Sequence, residues 1–202
     1  SGGREAVDFG KIGDRIRDLA DAAYGSRLRK CDHVTISQEV ISRFKNGMTT
    51  AAIDDLVVDV CRAFSGRHPD YATLAARIMI SNLQKQNTRT FVEVYEHLAQ
   101  DPAHCRISEG FLALIRPLAD EIEGRLLLQR DFINAGFSAA TLMRSYLLRD
   151  AKGHIVELPQ HMYMRVALAI QCMRPSEKAK YIVEVDEYGD VVGRELVQKG
   201  EP

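Results

Sequence analysis

The sequence predicts a mainly α fold, a helical bundle followed by further helices and one or two β-hairpins. Two observations carry that reading. Apolar residues recur every three or four positions over most of the first 130 residues, and β-branched residues gather beside short Gly-bearing linkers only after Asp131. A third observation sets the scale: the 202 residues are 46% hydrophobic and 27% charged, which fits one large domain or two small ones and argues against bulk disorder.

Between Phe9 and Ala23, the residues Ile12, Ile16, Leu19, Ala20 and Ala23 share one face and predict a helix over 10–23. Val34, Ile36, Val40, Ile41 and Phe44 predict a second, ended by Asn46-Gly47, because both residues tolerate the left-handed cap conformation. Thr50 is the expected cap of a third, whose stripe is Ile53, Leu56, Val57, Val60 and Phe64 and whose stop is Ser65-Gly66. His68-Pro69-Asp70 opens a fourth, since Pro at the first helical position loses no needed N–H and Asp complements the positive helix end. Its expected buried stripe is Leu74, Ala75, Ile78 and Leu83. A fifth helix over 90–99 turns Phe91, Val94, Tyr95 and Leu98 inward, and helical turns follow around 108–115 and 120–128. Residues 145–149 and 154–157 flank Asp150-Ala-Lys-Gly153 and read as a β-hairpin. A second hairpin is expected from 181–185 and Val191-Val192.

The charge balance, 27 Lys plus Arg against 28 Asp plus Glu, gives a net of −1 and removes the basic footprint of a nucleic-acid binder. The segment 177–202 carries four basic and seven acidic residues, a solvated acidic tail. With no run of 18 apolar residues, a soluble, cytoplasmic protein without membrane contact is expected. Cys31, Cys61, Cys105 and Cys172 stand at least 30 residues apart with no CxxC pair, so reduced thiols and no metal site are expected, with Cys61 acting as a small buried hydrophobe.

No phosphate loop of the GxxxxGK[ST] type, GxGxxG, GxSxG elbow or HExxH helix is present. Longer strings are more specific. His68-Pro-Asp-Tyr-Ala-Thr-Leu-Ala-Ala-Arg77, with Asn82-Leu-Gln-Lys85 behind it, resembles the N-terminal segment of the class I ribonucleotide reductase large subunit. Gly47-Met-Thr-Thr50, Arg130-Asp-Phe132, Gly136-Phe137, Arg144-Ser-Tyr-Leu-Leu148 and Pro159-Gln-His-Met162 resemble further blocks of that subunit in the same order. The resemblance covers roughly residues 2–168 and fits the eukaryotic or viral type.

The resemblance implies an ATP-cone-like regulatory domain over 1–100, a helical bundle with a small β-sheet cap where ATP activates and dATP inhibits. Residues 101–170 would form a helical segment and hairpin leading toward the catalytic barrel, and 171–202 a divergent acidic tail. It also implies a nucleotide site. Glu5, Asp8, Lys11 and Ile12 fall on its opening strand and first helix, Thr50, Ile53 and Asp54 start the third helix, and Lys85 ends the fourth. The chemistry suits the purpose: Lys11 and Lys85 are point charges for phosphate, Thr50 sits at a helix N-terminus that favours anions, and Asp54 can accept a ribose or base hydrogen bond. The same residues also suit plainer roles: surface charge for Lys11 and Lys85, capping for Thr50, a helix-dipole partner for Asp54 and core for Ile53.

Two departures from the family pattern shape the expected function. The family's opening strand ends in Lys-Arg-Asp-Gly, and this chain begins at Ser1-Gly2 where that Asp-Gly would lie, so weak nucleotide binding is expected at about 1.5–3 kcal/mol per charged hydrogen bond missing. The barrel's radical and redox cysteines also lie beyond residue 202, so the chain is expected to be inactive alone. No intrinsic cofactor is implied, only ATP or dATP as effectors. Other reductase large subunits and the small radical-generating subunit are the implied partners. The alternative is a non-catalytic interaction module that binds reductase subunits without sensing nucleotide. A homo-oligomer is expected as well, because Phe132, Phe137, Leu142, Tyr146 and Leu147 would lack the barrel that covers them, leaving another chain or the acidic hairpin over 181–197 as their cover.

Overall fold

The computed structural model describes residues 8–101, 107–134, 137–171, 181–185 and 191–196. Among them are nine α-helices: α1 (Phe9–Leu19), α2 (His33–Arg43), α3 (Thr50–Phe64), α4 (Pro69–Gln86), α5 (Phe91–Ala99), α6 (Glu109–Ile115), α7 (Ala119–Arg125), α8 (Phe137–Thr141) and α9 (Pro159–Gln171). The protein is mainly α.

Most helix starts are set by a side chain that accepts from an otherwise orphaned N–H. Asp32 takes Val34 N and Thr35 N at 3.0 and 3.3 Å. The His68 imidazole takes Asp70 N at 3.1 Å, just ahead of Pro69. Thr90 and Glu93 form a reciprocal capping box at α5. At α3 the cap is Thr49, whose hydroxyl accepts from Ala52 N at 3.1 Å, and Thr50 is the first helical residue. The expected cap was therefore one residue late, since two adjacent threonines offer the same chemistry.

The first helix is shorter than its apolar periodicity predicts. It ends at Leu19, and Ala22–Tyr24 form a 3₁₀ turn before Gly25, whose φ of 118° is in the left-handed region. The cause lies in α4. Arg77, 2% exposed, donates to the carbonyls of Leu19 at 2.8 Å, Asp21 at 3.1 Å and Ser26 at 2.7 Å. The Leu19 carbonyl is thereby taken out of a continuing helix, while that of Asp21 also receives Tyr24 N within the 3₁₀ turn.

The chain divides into two compact units, residues 1–162 and 163–202. In the first, the main core joins Ile16 and Leu19 of α1, Ile36 and Val40 of α2, Val57, Val60, Cys61 and Phe64 of α3, and Tyr71, Leu74 and Ile78 of α4. A smaller cluster gathers Leu83, Leu142, Leu147, Leu158 and Met162. Phe132, Leu142 and Leu147 are buried within the chain, and Phe132 meets Tyr24 edge-on at 4.6 Å. The expectation that these three lack cover is thus corrected. Tyr146 remains 58% exposed, and the Phe137 side chain lies outside the described residues.

The hairpin expected over 145–157 does not form. Leu142–Tyr146 are a π-helical turn, and the segment after it closes with one antiparallel bridge, Arg149 to Ile155. A ladder is pre-empted because the Leu148 N–H is bound by Glu157 at 2.9 Å and the Asp150 carboxylate takes the turn's own N–H groups at Lys152 and His154. The expected β-sheet cap is also not seen. Among the described residues no strand precedes Tyr181, and residues 1–7, where the opening strand was placed, lie outside them. In the second unit, β1 (Tyr181–Val185) pairs antiparallel with β2 (Val191–Leu196), Tyr181 opposite Leu196, with a register shift at Glu184/Val185. The residues joining these strands lie outside the described ones.

Candidate functional site

Three helices bring polar side chains to one place. From α1, Arg15 donates through Nη1 to the Asp54 carboxylate on α3 and through Nη2 to Asn82 and Ser81 on α4, the last at 3.3 Å. Arg15 and Asp54 form an ion pair with 26% and 25% of their side chains exposed. Lys85, one turn beyond Ser81, lies within electrostatic reach of both. Desolvation and then the Arg15 charge push its ammonium below the usual lysine range, while Asp54 pulls the other way. With two cations around one carboxylate, this corner keeps a net positive charge.

The expected site residues divide accordingly. Asp54 and Lys85 are brought together, and Lys11 lies one turn before Arg15 on the exposed side of α1. Thr50 is exposed at the N-terminal turn of α3, with Asp54 one turn further in. Ile53 is buried at 8% exposure, and Ile12 packs half-buried against the main core, so both serve as apolar support. Asp8 caps its own helix by accepting from Gly10 N at 2.9 Å. Glu5 lies outside the described residues. Arg15 was missed. A signal was present: Lys11 and Arg15 are like charges at helical spacing, an arrangement that costs stability unless a carboxylate or an anion stands against it.

A second group of polar residues is buried deeper. Glu157, 0% exposed, accepts from the Tyr95 hydroxyl and from Leu148 N. His161, 2% exposed, packs edge-on to Phe91 at 5.7 Å, and its Nδ1 has no partner among the described residues. Burial holds this imidazole below its ordinary range, against the pull of Glu123 and Glu157. Asp131, 0% exposed, accepts from Gln84 and from Gln160 N, and burial raises its carboxyl above the usual range. Burial also pushes the thiols of Cys31 and Cys61 up to about 12, which leaves them poor nucleophiles. Cys105 and Cys172 lie outside the described residues. No helix among the described residues is long and apolar enough to cross a membrane.

Residues 8–101 define a small all-helical bundle with basic side chains gathered at one partly exposed corner. Comparison with known proteins makes the class specific: residues 1–86 match the ATP cone domain, and residues 135–190 match the ribonucleotide reductase all-alpha domain. The chain is 41% identical over 175 residues to the ribonucleoside-diphosphate reductase large chain 2 of Saccharomyces cerevisiae, covering 84% of this chain and 20% of that protein. It is 37% identical over 175 residues to the large subunit of Arabidopsis thaliana, covering 84% and 21%. With the large subunit of Monkeypox virus it shares 39% over 176 residues, covering 84% and 22%. The chain belongs to the class I ribonucleotide reductase large-subunit family, of which it carries the N-terminal ATP cone and all-alpha domain. It spans about a fifth of the length of these relatives.

Proposed function

We propose that residues 1–100 form an allosteric adenine-nucleotide sensor, taking ATP or dATP where α1, α3 and α4 converge. The observation that supports this best is the Arg15, Asp54 and Lys85 cluster, a net-positive and partly exposed corner on the three helices where the family resemblance puts the site. Lys11, Arg15 and Lys85 supply charge for phosphate oxygens, and the first turn of α3 adds N–H donors at Thr50. Asp54 accepts a sugar or base hydrogen bond, releasing Arg15 toward the phosphates. In the whole large subunit such a sensor would govern the reduction of ribonucleoside diphosphates, together with other large subunits and the small radical-generating subunit, in the cytoplasm.

Titration calorimetry of the chain with ATP and dATP tests the reading. Lys85→Ala should weaken binding about tenfold, the equivalent of one charge-assisted hydrogen bond. An unchanged affinity would overturn this site. The second reading, an interaction module that no longer senses nucleotide, draws on Val34 and Ile41, which leave α2 with 52% and 43% exposure one above the other. Retained binding of reductase subunits with no heat from either nucleotide would favour it.

A further inference from the structure

The last turns of α4 serve three neighbourhoods at once. Ser81 and Asn82 receive Arg15, and Lys85 feels both Arg15 and Asp54. Leu83, between them, is 2% exposed in the cluster with Leu142, Leu147, Leu158 and Met162. Gln84 turns to a third direction, where its Nε2 donates to Asp131 Oδ2 and to the Leu128 carbonyl, both at 2.8 Å. The other Asp131 oxygen accepts from Gln160 N, in the first turn of α9, at 2.9 Å. Gln160 fastens the same spot from its side chain, its Oε1 accepting from Leu127 N at 3.0 Å. Asp131 thus ties the final helix of the segment matching the ATP cone to a helix of the segment matching the all-alpha domain.

We propose that Asp131 is a positioning residue of the nucleotide site: anchored on the N-terminus of α9, it fixes Gln84 and so the turn that presents Asn82 and Lys85. The inference rests on the nucleotide reading above. A helical turn rotates as a body, so a turn that slips at Gln84 also shifts the residues at 82 and 85. The carboxylate is needed because it only accepts. A carboxamide at 131 can keep one oxygen on Gln160 N, but it then sets an NH₂ against the Gln84 NH₂. Asp131→Asn therefore cuts this link with almost no change in volume.

The experiment is calorimetry with ATP on the full chain, comparing the unaltered protein, Asp131→Asn, Gln84→Met, Lys85→Ala and the double variant Asp131→Asn/Lys85→Ala. Circular dichroism confirms that each is folded at the titration temperature, and Gln84→Met attacks the link from its other end should Asp131→Asn unfold. The expected result is about a fivefold loss of affinity in Asp131→Asn or Gln84→Met, and a double variant no weaker than Lys85→Ala alone, because the aspartate acts through that turn. A role confined to stability would lower the melting temperature and leave the affinity of the folded variant intact, overturning the inference. Binding that Lys85→Ala weakens but both link variants leave unchanged overturns the inference alone. No binding to the unaltered chain overturns the nucleotide reading and this inference with it.

Discussion

Arg15 and Asp54 meet with about a quarter of each side chain exposed, whereas Glu157, closed off from solvent, takes its bonds from the Tyr95 hydroxyl and the Leu148 N–H. Arg77 belongs with Glu157: its partners are backbone carbonyls, and the site lies out of water. The contrast is one of replaceability. Where water reaches a pair, losing one partner is offset by hydration, and a ligand can take the vacated role. In the interior nothing substitutes, so a deleted partner leaves a stranded donor or acceptor. The partly exposed network is suited to exchanging partners, and the buried ones are suited to holding helices in place.

Substitutions in the two networks should therefore separate stability from binding. The largest stability loss is expected for Arg77→Met, about 3–5 kcal/mol in urea unfolding, because three carbonyls each lose a charged donor at one buried site. Glu157→Ala should follow at about 2–4 kcal/mol, stranding the Leu148 N–H, taking one of the two acceptors of the Tyr95 hydroxyl and opening a cavity. Arg15→Ala inverts the pattern: it should cost only about 0.5–1 kcal/mol of stability, as partly exposed pairs do, yet weaken nucleotide binding about tenfold in calorimetry. A loss near 3 kcal/mol there would erase the distinction between the networks. The smallest effect concerns pH. Because burial keeps His161 neutral in the folded chain, the unfolded chain takes up the proton first as pH falls below the ordinary imidazole value of about 6.5, and stability should decline across that window. Melting temperatures measured from pH 7 to 5 should fall less steeply in His161→Gln than in the unaltered chain, and equal slopes would remove His161 from the account.

The helices were readable where caps and periodicity agree. His68-Pro69 announces α4, and the apolar stripes at Leu74, Ala75, Ile78 and Leu83 and at Phe91, Val94, Tyr95 and Leu98 are all buried. The same rules misled where a distant group competes for the backbone. Ala20 and Ala23 continue the periodicity of α1, but Arg77 takes the Leu19 carbonyl that would have extended it. Residues 145–157 alternate well enough for a hairpin, yet Glu157, twelve residues past Ser145, binds the N–H at Leu148. Of the site, Asp54 and Lys85 were legible only through family strings. Arg15 escaped because its role depends on partners 39 to 67 residues away. Buried charges such as Arg77, Asp131 and Glu157 are invisible to a pattern in which charge means surface.

The distances along the chain at which α1 is held bear on the order in which the bundle is built. Arg15 reaches partners 39, 66 and 67 residues downstream, and the loop after α1 waits for Arg77, 51 to 58 residues on. Closing such spans is entropically slow, whereas α3 and α4 are neighbours joined by a four-residue connection, Ser65 to His68. The helix that opens the bundle in chain order is thus the last of it to settle, and pulse-labelled amides of residues 15–19 should gain protection only after those of α4.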